Sequence, residues 1–350
     1  MENDRLTVRD FKQRLMKESE EKKVLLSANV EITSICNFKC PHCYNENVER
    51  GYMPLESFQR IMNELKNLGC VYLTITGGEP LLHPQFEEIY KRTHKAGFIV
   101  SLFSNGYIID NYLELLSRYK PYEVDISLYG IDDESYLINT GIINGKKVIN
   151  NLELLEKKGI TFSLKTVVTR NLLPYIEQMR LIAHTHNATF RLDAYVYLSP
   201  LQAKNVERLT AKEIAELLLK SNEYVELERK ALIERSSCIG EQLYNCRPGE
   251  NNIFITWDEN VKMCPFGSEE HSCNIKGGKS SIEDARRYLQ KIGELKWPKD
   301  KKCINCKYLT TCRKCPERFY VESGSYYDPT DWMCETAKCI YERIQDDVGE

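Results

Sequence analysis

The chain has 350 residues, of which 42% are hydrophobic, and a formal net charge of -3 at pH 7. This length is typical of about two domains of roughly 150 residues each, with enough apolar side chains for a core. The acidic balance excludes a basic nucleic-acid footprint, and no signal peptide or 18-residue apolar run is present, so we expect neither nucleic acid nor a membrane as partner. The 14 cysteines are then expected in the reducing cytoplasm, where they bind metal rather than form disulfides.

Six segments with strand character follow one another along the first 200 residues, separated mostly by amphipathic helices. The strands are expected at 24–33, 71–76, 98–103, 122–128, 160–168 and 188–196. Between the first two, apolar residues from Leu55 to Leu68 recur at helical spacing. Such alternation predicts an α/β fold with parallel strands and crossover helices. Six units are too few for the complete eight-unit barrel, so the sequence predicts an open, partial (β/α)6 TIM barrel with its active site at the C-terminal strand ends.

The alternation of strands and helices ends near residue 200, and the sequence predicts four parts. These are an N-terminal helical extension, the barrel, a bridging helix and a small C-terminal domain, expected at 1–23, 24–200, 201–235 and 236–350. The bridging helix is expected to begin at a capping box of Thr210 and Glu213 and to run to about 233.

The C-terminal part carries ten of the 14 cysteines but little continuous apolar pattern. A domain this poor in core usually needs metal to hold it together. A hairpin is expected at 252–266, and a later helix is expected to be capped by Ser280 and Glu283.

Three cysteines, Cys36, Cys40 and Cys43, follow the first strand with the spacing C-x3-C-x2-C. Three thiolates complete neither a tetrahedral zinc site nor a 4Fe-4S cube, so a further ligand is required. The sequence TGGEP, residues 76–80, follows the second strand. Its glycines are expected to let the backbone approach a ligand, and Glu79 offers a carboxylate that suits an amino group.

Together these two motifs resemble the radical S-adenosylmethionine (radical SAM) superfamily. The resemblance implies that the three cysteines hold a 4Fe-4S cluster whose open iron is ligated by the amino and carboxylate groups of SAM. It also implies that Gly77, Gly78, Glu79 and Pro80 form the motif that binds the methionine amine. Zinc binding is the alternative for the cysteine loop.

Further SAM contacts follow from the same resemblance. His42 would lie near the adenine, or would be only a loop residue. Polar contacts to SAM are implied for Ser104, Asn105 and Ser127. An arginine often found in the family is replaced by Asn139 and Thr140. Lys165, on the fifth strand, is the candidate partner for the SAM carboxylate in its place, although a strand lysine is also commonly solvated or paired.

The C-terminal cysteines resemble the SPASM extension of radical SAM enzymes, which holds two auxiliary 4Fe-4S clusters. The run Cys303-x2-Cys306-x5-Cys312-x2-Cys315, followed by Cys334, has two residues in its last short gap where the consensus has three. Carried over, the resemblance assigns Cys246, Cys264 and Cys315 to auxiliary cluster I, and Cys303, Cys306, Cys312 and Cys334 to auxiliary cluster II. Cys238 is the candidate fourth ligand of cluster I, with an iron left open for substrate as the alternative. Two zinc ribbons are the alternative for the cysteine pairs of the tail.

The resemblance implies an oxidoreductase that cleaves SAM reductively and uses the 5'-deoxyadenosyl radical to abstract hydrogen from a substrate carbon. Most enzymes with this tail modify peptides, so a thioether or carbon-carbon crosslink in a ribosomally made precursor peptide is the leading expectation. The alternatives are oxidation of a protein Cys or Ser as in sulfatase maturases, modification of tetrapyrrole side chains, and a non-catalytic metal-binding scaffold.

Two partners are expected for this activity. One is an electron donor such as flavodoxin or ferredoxin. The other is a separate leader-binding protein, because only about 35 residues precede Cys36, which is too short for a leader-binding domain.

Overall fold

The computed structural model describes residues 14–15, 17–19, 21–45, 49–235 and 241–346. Strands and helices alternate along the first half, as the apolar periodicity predicts. The strands are β1 (Ser27–Glu31), β2 (Tyr72–Thr76), β3 (Ile99–Ser104), β4 (Glu123–Ser127), β5 (Phe162–Val167) and β6 (Phe190–Asp193). The helices between them are α1 (Leu55–Asn67), α2 (Phe86–Lys95), α3 (Leu113–Arg118), α4 (Asp133–Thr140), α5 (Lys146–Lys157) and α6 (Ile176–Thr185).

All six strands are parallel to their neighbours, and the sheet is open. The predicted α/β fold with a partial TIM-type barrel is therefore confirmed. Three further strands, β7 (Asn252–Ile255), β8 (Asn260–Lys262) and β9 (Ser272–Asn274), continue the same sheet in the order 6-5-4-3-2-1-7-8-9. The hairpin of β7 and β8 was predicted, but the parallel pairing of β7 with β1 was not.

The two faces of the sheet differ in chemistry, because successive side chains of a strand point to opposite faces. The helix-covered face is apolar and buried, with Ala28, Val30, Leu73, Ile75, Val100, Leu102, Val124, Ile126 and Leu164. The strand register places a mostly polar set on the inner face: Asn29, Glu31, Thr74, Thr76, Ser101, Phe103, Asp125, Ser127, Ser163, Lys165, Arg191 and Asp193. A closed barrel fills its interior with bulky branched side chains. The inner face of this open barrel instead offers polar and charged groups to a ligand.

The second half of the chain contributes mainly helices. They are α7 (Ala211–Leu219), α8 (Asn222–Arg235), α9 (Ile282–Gly293), α10 (Pro316–Ser323) and α11 (Asp331–Asp346). The capping box of Thr210 and Glu213 at the start of α7 is confirmed. The prediction of a single bridging helix is wrong, because the chain turns at residues 220–221 and forms two helices. The side chain of Ser221 accepts a hydrogen bond from the backbone N–H of Tyr224 at the start of α8.

The cap of α9 is one residue later than expected. Ser281 and Asp284 form its capping box, rather than Ser280 and Glu283. Most of the expected N-terminal extension lies outside the described residues, and the domain boundaries stay predictions. Within the described part of the chain, no helix is both long and apolar enough to cross a bilayer.

Candidate active site

The loop after β1 brings Cys36, Cys40 and Cys43 together. Burial raises the pKa of Cys36 to about 12, and the charges of Glu79 and Cys43 raise it further. Burial also raises the pKa of Cys40, with the thiolates of Cys43 and Cys36 as the next causes. The loop is closed by a 3.1 Å hydrogen bond from the backbone N–H of Cys43 to the carbonyl of Cys40. Three thiols thus share one partly buried loop.

The chemistry of this donor set fits an iron-sulfur cluster. Three buried thiolates repel one another, and soft sulfur donors suit iron-sulfur clusters or zinc. No group of three His, Cys, Asp or Glu side chains in the described ranges converges on a single metal ion. A cube does not require such convergence, because each of its irons binds its own thiolate.

The TGGEP turn after β2 packs directly against the start of the cysteine loop. A Cβ on Gly77 would lie 2.3 Å from the carbonyl oxygen of Thr33, and one on Gly78 would lie 2.5 Å from that of Ile35. The backbone N–H of Gly78 donates to the Thr33 carbonyl at 2.7 Å. The glycines were expected to admit a ligand, and the structure gives another reason for them. They allow the turn and the cysteine loop to touch through their backbones.

The carboxylate of Glu79 connects the ends of β2 and β3. It is fully buried and accepts hydrogen bonds from Leu81 N at 3.2 Å, Ser104 Oγ at 2.9 Å and Asn105 N at 2.7 Å. Burial raises the pKa of Glu79 to about 7, and these hydrogen bonds oppose the rise. Pro80 is the first residue of a single 3-10 turn that Glu79 caps.

Asn105 extends this connection to the cysteine loop. Its side-chain amide donates to Asn37 Oδ1 at 2.8 Å and lies 3.7 Å from the Sγ of Cys36. The predicted residues Glu79, Ser104 and Asn105 are therefore one hydrogen-bonded unit beside the three cysteines. Their contacts to SAM stay a prediction.

His42 lies against an aromatic residue that was not singled out from the sequence. Its ring centroid is 4.9 Å from that of Tyr129, which hydrogen-bonds to the side chain of Ser127. Burial lowers the pKa of His42 to about 4, so the ring is neutral near pH 7. Its Nε2 is buried without a hydrogen-bond partner. Buried polar atoms normally have partners, and this orphaned nitrogen fits a site that a polar ligand completes.

Lys165 is paired within the barrel. Its Nζ lies 3.5 Å from Asp125 Oδ1 and 3.7 Å from the centroid of the Phe103 ring. Asp125 also forms an ion pair with Arg191. Burial lowers the pKa of Lys165, and the charge of Asp125 opposes that effect. Two cations thus share one buried carboxylate, and the contact of Lys165 with the SAM carboxylate stays a prediction.

Asn139 and Thr140, which stand in place of the missing arginine, are both buried. Their side chains donate to the carbonyls of Ser135 and Tyr136 within α4. The carbonyl of Thr140 also accepts from the backbone N–H of Lys39 at 2.7 Å. This position supports the cysteine loop through its backbone.

Three cysteines of the tail form a second group. Burial raises the pKa of Cys246 to about 11 and that of Cys264 to about 12, and in both cases the thiolate of Cys315 is the next cause. Cys315 is the N-cap residue of α10, and backbone N–H groups of Arg318 and Glu317 donate to its sulfur. These are the three cysteines assigned to auxiliary cluster I.

Four more cysteines form a third group. Burial raises the pKa of Cys312 to about 12, followed by the charges of Cys303, Cys334 and Cys306. Burial likewise raises the pKa of Cys303 to about 11, followed by Cys334 and Cys306. These are the four cysteines assigned to auxiliary cluster II. Cys238, the candidate fourth ligand of cluster I, lies outside the described residues.

The partial barrel with its three-cysteine loop is similar to the radical SAM enzymes. Residues 30–179 match the model of the Radical SAM superfamily. The GTP 3',8-cyclase of Synechocystis sp. is 27% identical over 150 residues, which are 41% of this chain and 45% of that protein. The AdoMet-dependent heme synthase of Oleidesulfovibrio alaskensis is 22% identical over 344 residues, which are 89% of this chain and 86% of that protein. The chain thus spans about half the length of the cyclase.

Two solved structures share the fold over most of the chain. The anSMEcpe structure with bound AdoMet has a TM-score of 0.71 at 18% identity, covering 93% of this chain and 99% of that one. Streptococcus suis SuiB bound to S-adenosylmethionine has a TM-score of 0.69 at 17% identity, covering 94% and 83%. Related structures contain anSMEcpe with the Cp18Cys peptide and SuiB with its precursor peptide SuiA. Residues 30–179 are the part of this chain that matches the model of the radical SAM superfamily.

Proposed function

We propose that this protein is a radical SAM oxidoreductase with two auxiliary 4Fe-4S clusters, and that it forms a thioether or carbon-carbon crosslink in a ribosomally made precursor peptide. One observation carries the proposal: ten cysteines fall into three spatial groups of three, three and four. Each group is a set of neighbouring thiolates, as a 4Fe-4S cube requires.

The bound cluster and SAM would supply the 5'-deoxyadenosyl radical, which removes hydrogen from a carbon that acids and bases leave untouched. The chain's own residues have a positioning role. Glu79 and Asn105 hold the cysteine loop against the ends of β2 and β3. His42, with a neutral ring beside Tyr129, offers a nitrogen for the adenine.

A crosslink between a thiol and a carbon removes one S–H and one C–H hydrogen. Such a crosslink would need the carbon to lose a hydrogen atom, the thiol to lose a proton, and the substrate to lose one electron. Auxiliary clusters held by the tail cysteines would supply an acceptor for that electron, since iron-sulfur clusters carry single electrons. The reaction would therefore oxidise the peptide, which would lose two hydrogen atoms per crosslink.

The placement of cluster I supports a substrate between the barrel and the tail. Phe266, two residues after Cys264, lies 5.9 Å from Tyr44, measured between ring centroids. Tyr44 directly follows Cys43. The segments of the proposed catalytic and auxiliary cysteines are thus in contact. The solved peptide complexes of SuiB and anSMEcpe, which share this fold, support a peptide as the occupant.

A second candidate is the modification of a tetrapyrrole side chain. It is favoured by the likeness to the AdoMet-dependent heme synthase, which extends over 89% of this chain. Lys165 and Arg191 on the inner face could pair with side-chain carboxylates of a tetrapyrrole, because both are cationic hydrogen-bond donors.

The partners belong to the same proposal. The reducing electron would come from flavodoxin or ferredoxin in the cytoplasm, and a separate protein would present the leader of the precursor peptide. The electron donor follows from the chemistry expected of the class, since radical formation needs a strong one-electron donor.

The test is an anaerobic reaction of the reconstituted protein with SAM, dithionite and a small precursor peptide encoded beside its gene. Mass spectrometry should find 5'-deoxyadenosine and a peptide that has lost two hydrogen atoms per crosslink. A parallel reaction contains a tetrapyrrole with carboxylate side chains. Conversion of the tetrapyrrole with an unchanged peptide would select the second candidate, and absence of 5'-deoxyadenosine in both would contradict the radical SAM assignment.

A further inference from the structure

A single buried carboxylate lies among the three segments that carry the cysteines of auxiliary cluster I. The side chain of Glu317 is 1% exposed. Its Oε1 accepts from the hydroxyl of Tyr244 at 2.7 Å and from Nδ1 of His271 at 2.6 Å, and its Oε2 accepts from the backbone N–H of Ser268 at 2.7 Å. All of its hydrogen bonds therefore join distant parts of the tail.

Two of these partners are close neighbours of the ligand cysteines along the chain. Tyr244 comes two residues before Cys246, and Ser268 comes four residues after Cys264. Glu317 itself comes two residues after Cys315. Glu317 thus lies in the segment of Cys315 and is hydrogen-bonded to the segments of Cys246 and Cys264.

No regular element contains any of these three cysteines. Cys246 and Cys264 lie in irregular segments, and Cys315 precedes the first residue of α10. The carbonyl of Cys315 accepts from the backbone N–H of Phe319 at the start of α10, but this bond lies within one segment and does not set the spacing between the three thiols. Hydrogen bonds to a buried carboxylate are stronger than neutral ones, and leaving a buried donor without its acceptor is costly.

We infer that Glu317 is the positioning residue of auxiliary cluster I, which holds the three ligand segments at the spacing that the cluster needs. The inference rests on the proposed function, which places a cluster at Cys246, Cys264 and Cys315. Groups that orient metal ligands from outside the coordination shell commonly control metal affinity. Glu317 does this for three segments at once.

The same helix provides a matched control. Glu322, also on α10, has a side chain that is 4% exposed and accepts from Leu198 N at 3.2 Å, Arg208 at 2.5 Å and Thr330 Oγ1 at 3.0 Å. Its partners are not in the segments of the cluster I cysteines. Replacing either glutamate by glutamine removes one buried acceptor and keeps the volume, so the two variants share the cost of a broken buried network.

The experiment measures iron and the EPR spectrum of the reduced, anaerobically reconstituted full chain. Wild-type protein should bind about 12 irons, four per cube. Glu317→Gln should retain about eight, because an amide NH2 group would face one of the donors. Its remaining EPR signals should match those of Cys315→Ala, which lacks a cluster I ligand. Glu322→Gln should keep the cluster I signal.

A folded Glu317→Gln protein with about 12 irons and an unchanged spectrum would overturn the inference while leaving the proposed function intact. A wild-type protein that saturates near four irons would overturn both. If Glu317→Gln is insoluble, Tyr244→Phe provides the test, since it removes one hydroxyl and keeps the ring. That variant should lose cluster I iron to a chelator several times faster than wild type, and an unchanged rate would count against the inference.

Discussion

The side-chain amide of Asn45 donates a 2.7 Å hydrogen bond to Oε1 of Glu31. Glu31 is the last residue of β1 on the inner face, and Asn45 follows the third cysteine of the loop by two residues. The backbone N–H of Trp257, beyond β7, also donates to this carboxylate. One buried glutamate therefore joins the barrel, the cysteine loop and the C-terminal hairpin.

Replacement of Glu31 by Gln should change how stability depends on pH. Burial raises the pKa of Glu31 from 4.5 to about 7, although hydrogen bonds from Asn45 and Trp257 oppose the rise. The folded state binds this proton more tightly than the unfolded state does. The protonated carboxyl therefore stabilises the folded protein fully below pH 4.5, and this contribution is lost as the pH rises through about 7. The variant should therefore gain stability over wild type by about 3 kcal/mol between these limits.

Urea unfolding of both proteins from pH 4.5 to 8 checks this, and the difference between them removes the effect of other titrating groups. The amide oxygen introduced by Glu31→Gln would still accept from Asn45, so the hydrogen bond is kept. A difference in unfolding free energy that stays constant with pH would contradict the prediction.

Replacement of Gly78 by Ala should displace the cysteine loop. The new Cβ would lie 2.5 Å from the Ile35 carbonyl oxygen, which belongs to a backbone that cannot move without shifting Cys36. We expect the loss of about four irons of about 12 after reconstitution. Gly97→Ala is the control, because it has φ +89° but no atom within 4 Å of the new Cβ. It should cost about 1 kcal/mol of stability and keep its iron, and equal iron contents in the two variants would contradict the prediction.

The parallel strands and the fold class could be predicted because apolar periodicity is local information. Each strand from β1 to β6 has an apolar face that the sequence itself displays. The pairing of β7 with β1 could not be predicted in this way. Ser27 lies opposite Asn252, and nothing local indicates which edge of a sheet a distant strand joins.

The missed details of the site have similar causes. Both Ser280 with Glu283 and Ser281 with Asp284 fit the capping pattern, and only the burial of Ile282 in the folded tail favours the second pair. Glu317 also looks like an ordinary helix residue in the sequence. Its role depends on two tail segments that the fold brings to it from far along the chain.

Replacement of Cys36, Cys40 and Cys43 together by Ala should separate the proposed catalytic cluster from the tail. We expect no 5'-deoxyadenosine above background, with about eight irons retained, because each cube is held by its own thiolates. Liquid chromatography of the reaction and iron analysis check both parts. Cys70→Ala, at a buried thiol that contacts the carbonyl of Tyr72, is the control and should keep both properties. SAM cleavage at the wild-type rate in the triple variant would refute the role of the loop.

Replacement of Cys334 by Ala tests whether auxiliary cluster II takes part in the reaction or only stabilises the tail. Metal-binding energy is folding energy in domains with little core, so a purely structural cluster would destabilise the tail when lost. The barrel contributes most of the buried apolar side chains of the main core and has its own cysteine loop. We therefore expect a soluble Cys334→Ala protein that lacks about four irons, still cleaves SAM, and forms little or no crosslinked peptide.

Cys339→Ala is the matched control for this variant, since both cysteines lie on α11 and Cys339 does not belong to any of the three groups. It should keep its iron and its product yield. Both 5'-deoxyadenosine and the modified peptide are measured in one anaerobic reaction, with circular dichroism to verify folding. Full product yield from a folded Cys334→Ala protein without cluster II would show that this cluster has no part in the chemistry, because an electron acceptor cannot be removed without loss of the oxidised product.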